Sequence, residues 1–228
     1  MIKRLISPDY STVKDLNNLV KSICPKHSCS SITFRRHILD TYDWRIFSAG
    51  YLLEHDLINK SQQLTLQPNT SQNDIMHLLI SSIPRFCPEL KSSSMKSKLT
   101  RIVKARAFVS KVLFHVTRFD YEISNNIDKI NLRLSVEGLF AKKPLKEENC
   151  ITCYMILRPL RGYENKFKKT EQLLTKEFGF SEYKGDKVAS AIKSNNEISE
   201  YLLPKTTIKL SPKTSSKIAG IPKPVSCI

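Results

Sequence analysis

The chain has 228 residues, 40% of them hydrophobic and 25% charged, an ordinary globular composition that argues against intrinsic disorder. Its 37 lysines and arginines outnumber 21 acidic residues, giving a formal net charge of +16 that attracts polyanions, whether nucleic acid, polyphosphate, anionic lipid or an acidic protein, without choosing among them. No run of eighteen apolar residues, no GxxxxGK[ST] and no GxGxxG occurs, which excludes a membrane-spanning helix and the nucleotide-loop folds.

The opening MIKRLISPDYS is too short and polar for a secretory signal, so the expected setting is cytoplasmic, with the six cysteines reduced. Residues 8–21 carry Val13, Leu16, Leu19 and Val20 at helical spacing, with Ser11 or Asp9 placed to cap the start. SSITFRRHIL (30–39) is rich in β-branched and aromatic residues and suits a strand; Asp40, Thr41 and Asp43 then mark a turn. GYLLEHDL and QQLTLQP follow as two short strands joined by a polar connection.

After a polar stretch, SMKSKLTRIVKARAFVSKVL reads as one basic helix or as helix–turn–strand. LFHVTRFDYEIS, DKINLRLSVEGLF and CITCYMILRPL then alternate like strands. In the second, Ile130, Leu132, Leu134 and Val136 share one face, and Asn131, Arg133, Ser135 and Glu137 the other. KFKKTEQLLTKEFGF spaces Phe167, Leu173, Leu174 and Phe178 as a helix, with Gly179 placed to end it. The Lys-, Pro-, Ser- and Thr-rich residues beyond have no period, so the expected organisation is one domain over 1–193 and a basic tail or linker over 194–228. Helices flanking hairpin-compatible strands predict an α+β fold with an antiparallel sheet or barrel, not a parallel sheet.

The order of three stretches, LDTYDWRIFSAGYLLE, KARAFVSKVLFHVTRFDYEI and LRPLRGYENKFKK, resembles the CYTH family of triphosphate-tunnel proteins, which includes triphosphatases and class IV adenylyl cyclases. The resemblance implies a barrel whose lumen holds Mg²⁺ or Mn²⁺ on carboxylates and clamps triphosphate oxygens with Lys and Arg. This sequence departs from that pattern. Its opening strand MIKRLI has no acid, and the family's Leu-Arg-x-Arg reads Leu53-Glu54-His55-Asp56. Gln67 replaces a lysine, Asn131 and Ser135 stand where acids belong, and the acidic strand reads Tyr154-Met155-Ile156-Leu157-Arg158.

The expectation is therefore a degenerate, non-catalytic member that binds a polyanion such as polyphosphate or triphosphate, with no catalytic residue and no metal or other cofactor assigned. The candidate phosphate-binding residues are Arg118 and Lys187, which survive from the family pattern, with Lys104 and Arg106 from a basic cluster over 85–118, and Arg133 and Arg158. One alternative is a Mg²⁺- or Mn²⁺-dependent triphosphatase with relocated ligands at Glu137, Glu147, Glu148 and Glu164; another is a protein-interaction scaffold, favoured if apolar side chains plug the lumen. Likeness to members that carry a CHAD domain makes such a domain an expected partner. Cys24, His27 and Cys29 lack zinc spacing; the Cys150/Cys153 pair has it, but in a strand residues i and i+3 face opposite sides, so the cysteines read as ordinary thiols. Asp40 and Asp43 read as turn residues, and Trp44 and Phe47 as packing.

Overall fold

In a computed structural model of the protein, residues 2–69, 75–125, 127–141 and 150–183 are described. They form β1 (Lys3–Ile6), α1 (Val13–Ile23), β2 (His27–Asp40), α2 (Arg45–Ser48), β3 (Tyr51–Ile58), β4 (Ser61–Pro68) and β5 (Met76–Ile80). There follow α3 (Ser94–Val103), β6 (Val109–Ser124), β7 (Ile130–Phe140), β8 (Cys150–Arg158), α4 (Glu164–Glu177) and β9 (Ser181–Glu182). The strands pair antiparallel in one sheet, in the order β5-β4-β3-β2-β6-β7-β8-β1-β9. Strands β5 and β1 stand far apart in that order, yet Ile75 and His77 line one cavity with Ile2 and Arg4. The sheet therefore curls around a lumen, as right-handed twist accumulated over many strands allows.

Alternation sorts the side chains between two faces. On β7, Leu132, Leu134 and Val136 face outward into a core shared with Leu16, Leu19 and Val20 of α1 and Phe167 and Leu174 of α4. A second outer core joins Leu53, Leu64 and Leu66 to Met95, Leu99 and Val103 of α3. The inner face carries a third apolar cluster around Phe34, Phe114, Val116 and Leu139. Helix α1 approaches β7 so closely that a Cβ built on Gly138 would stand 2.3 Å from Val13 Cγ2. Only glycine accommodates that contact.

Several expectations change in detail. The first helix starts at Val13, and its cap is Thr12, whose side chain accepts from Asp15 N; Ser11 and Asp9 do not serve. The 94–113 stretch resolves into helix, turn and strand, because Lys104 adopts φ 55° and ends α3. Strand β5 was not expected: its five residues follow a polar stretch, although Met76, Leu78 and Ile80 do alternate. The tail over 194–228 lies outside the described residues. No described helix is long and apolar enough to cross a membrane.

Candidate functional site in the lumen

Period-two alternation aims one side chain in two from each strand at the lumen. Cross-strand register then sets neighbours: Arg36 of β2 stands opposite Asp56 of β3, and Arg118 of β6 opposite Glu137 of β7. The curl brings Arg4 of β1 and Tyr154 of β8 to the same place. Arg36 donates from Nε and Nη2 to the two oxygens of Asp56 at 2.6 and 2.8 Å, and from Nη1 to Glu137 at 3.1 Å and the Tyr154 hydroxyl at 2.9 Å. Tyr154 in turn donates to Glu137 at 2.7 Å. Arg4 reaches both oxygens of Glu54 at 3.4 and 3.5 Å, and Gln67 donates to Glu54 at 2.8 Å.

A second group lies further along the same wall. Arg118 pairs with Asp120 at 3.0 Å and with Glu137 at 3.6 Å, and Arg158 stands 3.9 Å from Asp120. Ser135 donates to Asp120 and accepts from Arg158. His77, from β5, bonds Thr65 and Gln63 across its edge of the lumen. Four guanidinium groups (Arg4, Arg36, Arg118, Arg158) thus face four carboxylates (Glu54, Asp56, Asp120, Glu137).

Burial sets the electrostatics. It pushes Glu137 up, but Arg36, Arg4, the Tyr154 hydroxyl and Arg118 outweigh it and hold the carboxyl at about 2. Burial also pushes Asp56 up; Arg36 opposes this, while Glu54 and Glu137 add to it. For Arg36 and Arg4 burial works against the charge, yet the surrounding carboxylates more than restore it. Arg158 is lowered by burial, which Glu137 and Asp120 do not fully offset.

Of the six candidate phosphate-binding residues, Arg118 and Arg158 meet in the lumen cavity. Arg133 is on the same face at the rim, pairing with Glu122 at 3.0 Å. Lys104 and Arg106 do not join them: they lie exposed in the turn after α3, with Arg106 3.9 Å from Asp43. Lys187 lies outside the described residues, as do Glu147 and Glu148. Glu137 converges on the lumen, whereas Glu164 sits at the start of α4 and accepts from Gly162 N.

The basic cluster is partly consumed by structure. Lys96 donates to the Pro88 and Leu90 carbonyls, Lys98 lies over the Tyr51 ring, and Lys111 donates to the Tyr42 carbonyl. Asp40 accepts the backbone N–H groups of Thr41, Ile46 and Phe47, which is the turn role expected of it.

Arg4, Arg36 and Tyr154 were missed as site residues, and Glu54 and Asp56 stood only as lost clamps. The alternation of Ile32, Phe34, Arg36 and Ile38 put a lone charge on an otherwise apolar face, a signal that could have found Arg36. The carboxylates are hard oxygen donors, but arginines hold each of them. Among the described residues no group of three or more His, Cys, Asp or Glu could hold a metal ion. The arrangement as it stands does not fit Mg²⁺ or Mn²⁺.

The curled antiparallel sheet with outer helices is the tunnel-like barrel that the CYTH resemblance implied, and solved structures share this fold. An adenylyl cyclase candidate from Hippeastrum with a dominant triphosphatase activity matches with a TM-score of 0.54 and 18% identity, over 85% of this chain and 95% of that one. An adenylate cyclase candidate from Bacillus halodurans matches at 0.48 and 13%, over 76% and 87%, and one from Vibrio parahaemolyticus at 0.44 and 11%, over 79% and 88%. At these identities the likeness concerns the fold alone. No protein-family model and no curated protein matches the sequence.

Proposed function

We propose that the lumen binds a triphosphate-type oligophosphate, either free or carried on a nucleotide. The observation that carries this reading is the convergence of Arg4, Arg36, Arg118 and Arg158 on one cavity of about 230 Å³. Guanidinium groups pair with phosphate oxygens through charge-assisted, often bidentate hydrogen bonds. A ligand would draw arginines away from their carboxylates, exchanging one anionic partner for another.

Titration calorimetry with inorganic tripolyphosphate, with and without Mg²⁺ or Mn²⁺, tests the reading. Saturable binding is expected, weakened about ten- to a hundredfold in Arg118→Gln, since a hydrogen bond to a charged group contributes about 1.5–3 kcal/mol. Binding that ignores this substitution would refute it.

Hydrolysis is the second reading. Glu137, one of the relocated acids, stands in the lumen beside Glu54 and Asp56, and the Hippeastrum protein of like fold is a triphosphatase. That likeness favours turnover over binding alone, while the arginine pairing of each carboxylate favours binding alone. Orthophosphate release from tripolyphosphate in the presence of Mg²⁺ or Mn²⁺ separates the two: release lost in Glu137→Gln supports hydrolysis, and saturable binding without release supports a pure binder.

A further inference from the structure

We infer that the lumen is a cup closed at one end, so that it takes the terminus of a linear oligophosphate and not the interior of a long chain. This rests on the oligophosphate reading above and narrows its substrate class.

The inner face changes character along each strand. On β6, Phe114 and Val116 are 0% exposed, after which the side chains open progressively: Arg118 at 20%, Asp120 at 36% and Glu122 at 42%. Strand β7 runs the other way, from buried Leu139, Glu137 and Ser135 to Arg133 at 52%, with Asn131 buried beyond it. Strand β8 passes from buried Tyr154 and Ile156 to Arg158. Three adjacent strands thus place their solvated charges at one end of the lumen.

The other end is filled. Beyond Arg36 on β2, Ile38 packs with Leu52 and Val112, and Trp44 and Phe47 of the β2–β3 connection lie against them. Protein interiors of this kind leave no passage for a hydrated anion, and moving phosphate charge through an apolar cluster is prohibitively costly. Between plug and mouth lie Arg4 and Arg36, deep and buried, with Arg118 and Arg158 nearer solvent.

The geometry matches the chemistry of a chain end. A terminal phosphate has three non-bridging oxygens and more charge than an internal one, which has two. It can enter a blind cup head first and meet arginines at successive depths. An internal segment needs two openings, one for each direction of the chain.

The test uses the wild-type full chain at about 0.3 M salt, which screens the basic outer surface. Calorimetry gives the number of protein copies bound per chain for linear polyphosphates of several defined lengths. Cyclic trimetaphosphate, which has no terminus, is the competitor, and Arg118→Gln reports whether binding occurs in the lumen. We expect at most one copy per chain end at every length, with trimetaphosphate about tenfold or more weaker than linear tripolyphosphate. Arg118-dependent binding whose copy number grows with chain length, or trimetaphosphate competing as well as the linear form, would overturn the blind cup alone. Failure of tripolyphosphate to bind at all would remove the underlying reading and this inference with it.

Discussion

Replacing Arg36 with Met removes the hub of the lumen network while keeping a side chain of similar length. The guanidinium is 3% exposed and serves Asp56, Glu137 and Tyr154 at 2.6–3.1 Å. Without it, two buried carboxylates lose their nearest cation, and breaking one side of a buried pair costs about 3–5 kcal/mol. Glu137 gives an independent scale: held at about 2 against an ordinary 4.5, it contributes about 3 kcal/mol of stability. That contribution is present above pH 4.5 and is lost as pH falls toward 2.

In Arg36→Met the buried carboxylates titrate higher, because desolvation then acts with less opposition. The variant therefore recovers by protonation at a pH where the parent has not begun to lose its Glu137 contribution. Urea unfolding followed by circular dichroism at pH 7 and pH 4.5 measures this. The expected deficit is about 3–5 kcal/mol at pH 7, or roughly 10 °C in Tm, shrinking by at least about 1 kcal/mol at pH 4.5. Adding Asp56→Leu and Glu137→Met should restore most of the loss, since an apolar core of similar volume replaces a buried ion network at little cost. A deficit below about 1 kcal/mol, or one that is the same at both pH values, would refute the network as the organising feature of the lumen.

Three further outcomes follow from the packing and titration. Gly138→Ala places a methyl 2.3 Å from Val13 Cγ2 and should cost about 1–3 kcal/mol in thermal or urea unfolding, with Val13→Ala recovering part of it; additive losses would show that the two do not touch. Thr12→Ala removes the α1 cap and should lower stability by about 1 kcal/mol, leaving tripolyphosphate affinity unchanged in calorimetry. Burial lowers His55, with Gln62 and Asp56 only partly offsetting it, and His55 Nδ1 is buried without a hydrogen-bond partner among the described residues. The unfolded chain takes up that proton first, so stability falls as pH drops below 6.5. His55→Leu should flatten the slope, by about 1 kcal/mol at pH 5.5, and an unchanged slope would count against the assignment.

The amino-acid sequence by itself determined the elements and most of their faces, because periodicity is local. Alternation from Ile130 to Glu137 separates the outer core from the lumen before any partner strand is known. The spacing of Leu16, Leu19 and Val20 does the same for α1, and Asp40 announces its turn through backbone groups within seven residues. Arg118 was legible as a phosphate-binding candidate through the family resemblance, and Arg158 through the strand that resembles the family's acidic one. Tertiary structure alone decided who meets whom. Arg36 finds Asp56 after 20 residues, Glu137 after 101 and Tyr154 after 118, distances over which composition and period carry no information. Register and curl fix those encounters: a slip of one residue would turn Arg36 to the outer face and Glu54 away from Arg4. They also turned Glu54 and Asp56 from missing clamps into partners of arginines that linear comparison overlooked. The change of the lumen wall from apolar to solvated likewise emerges only when neighbouring strands stand side by side.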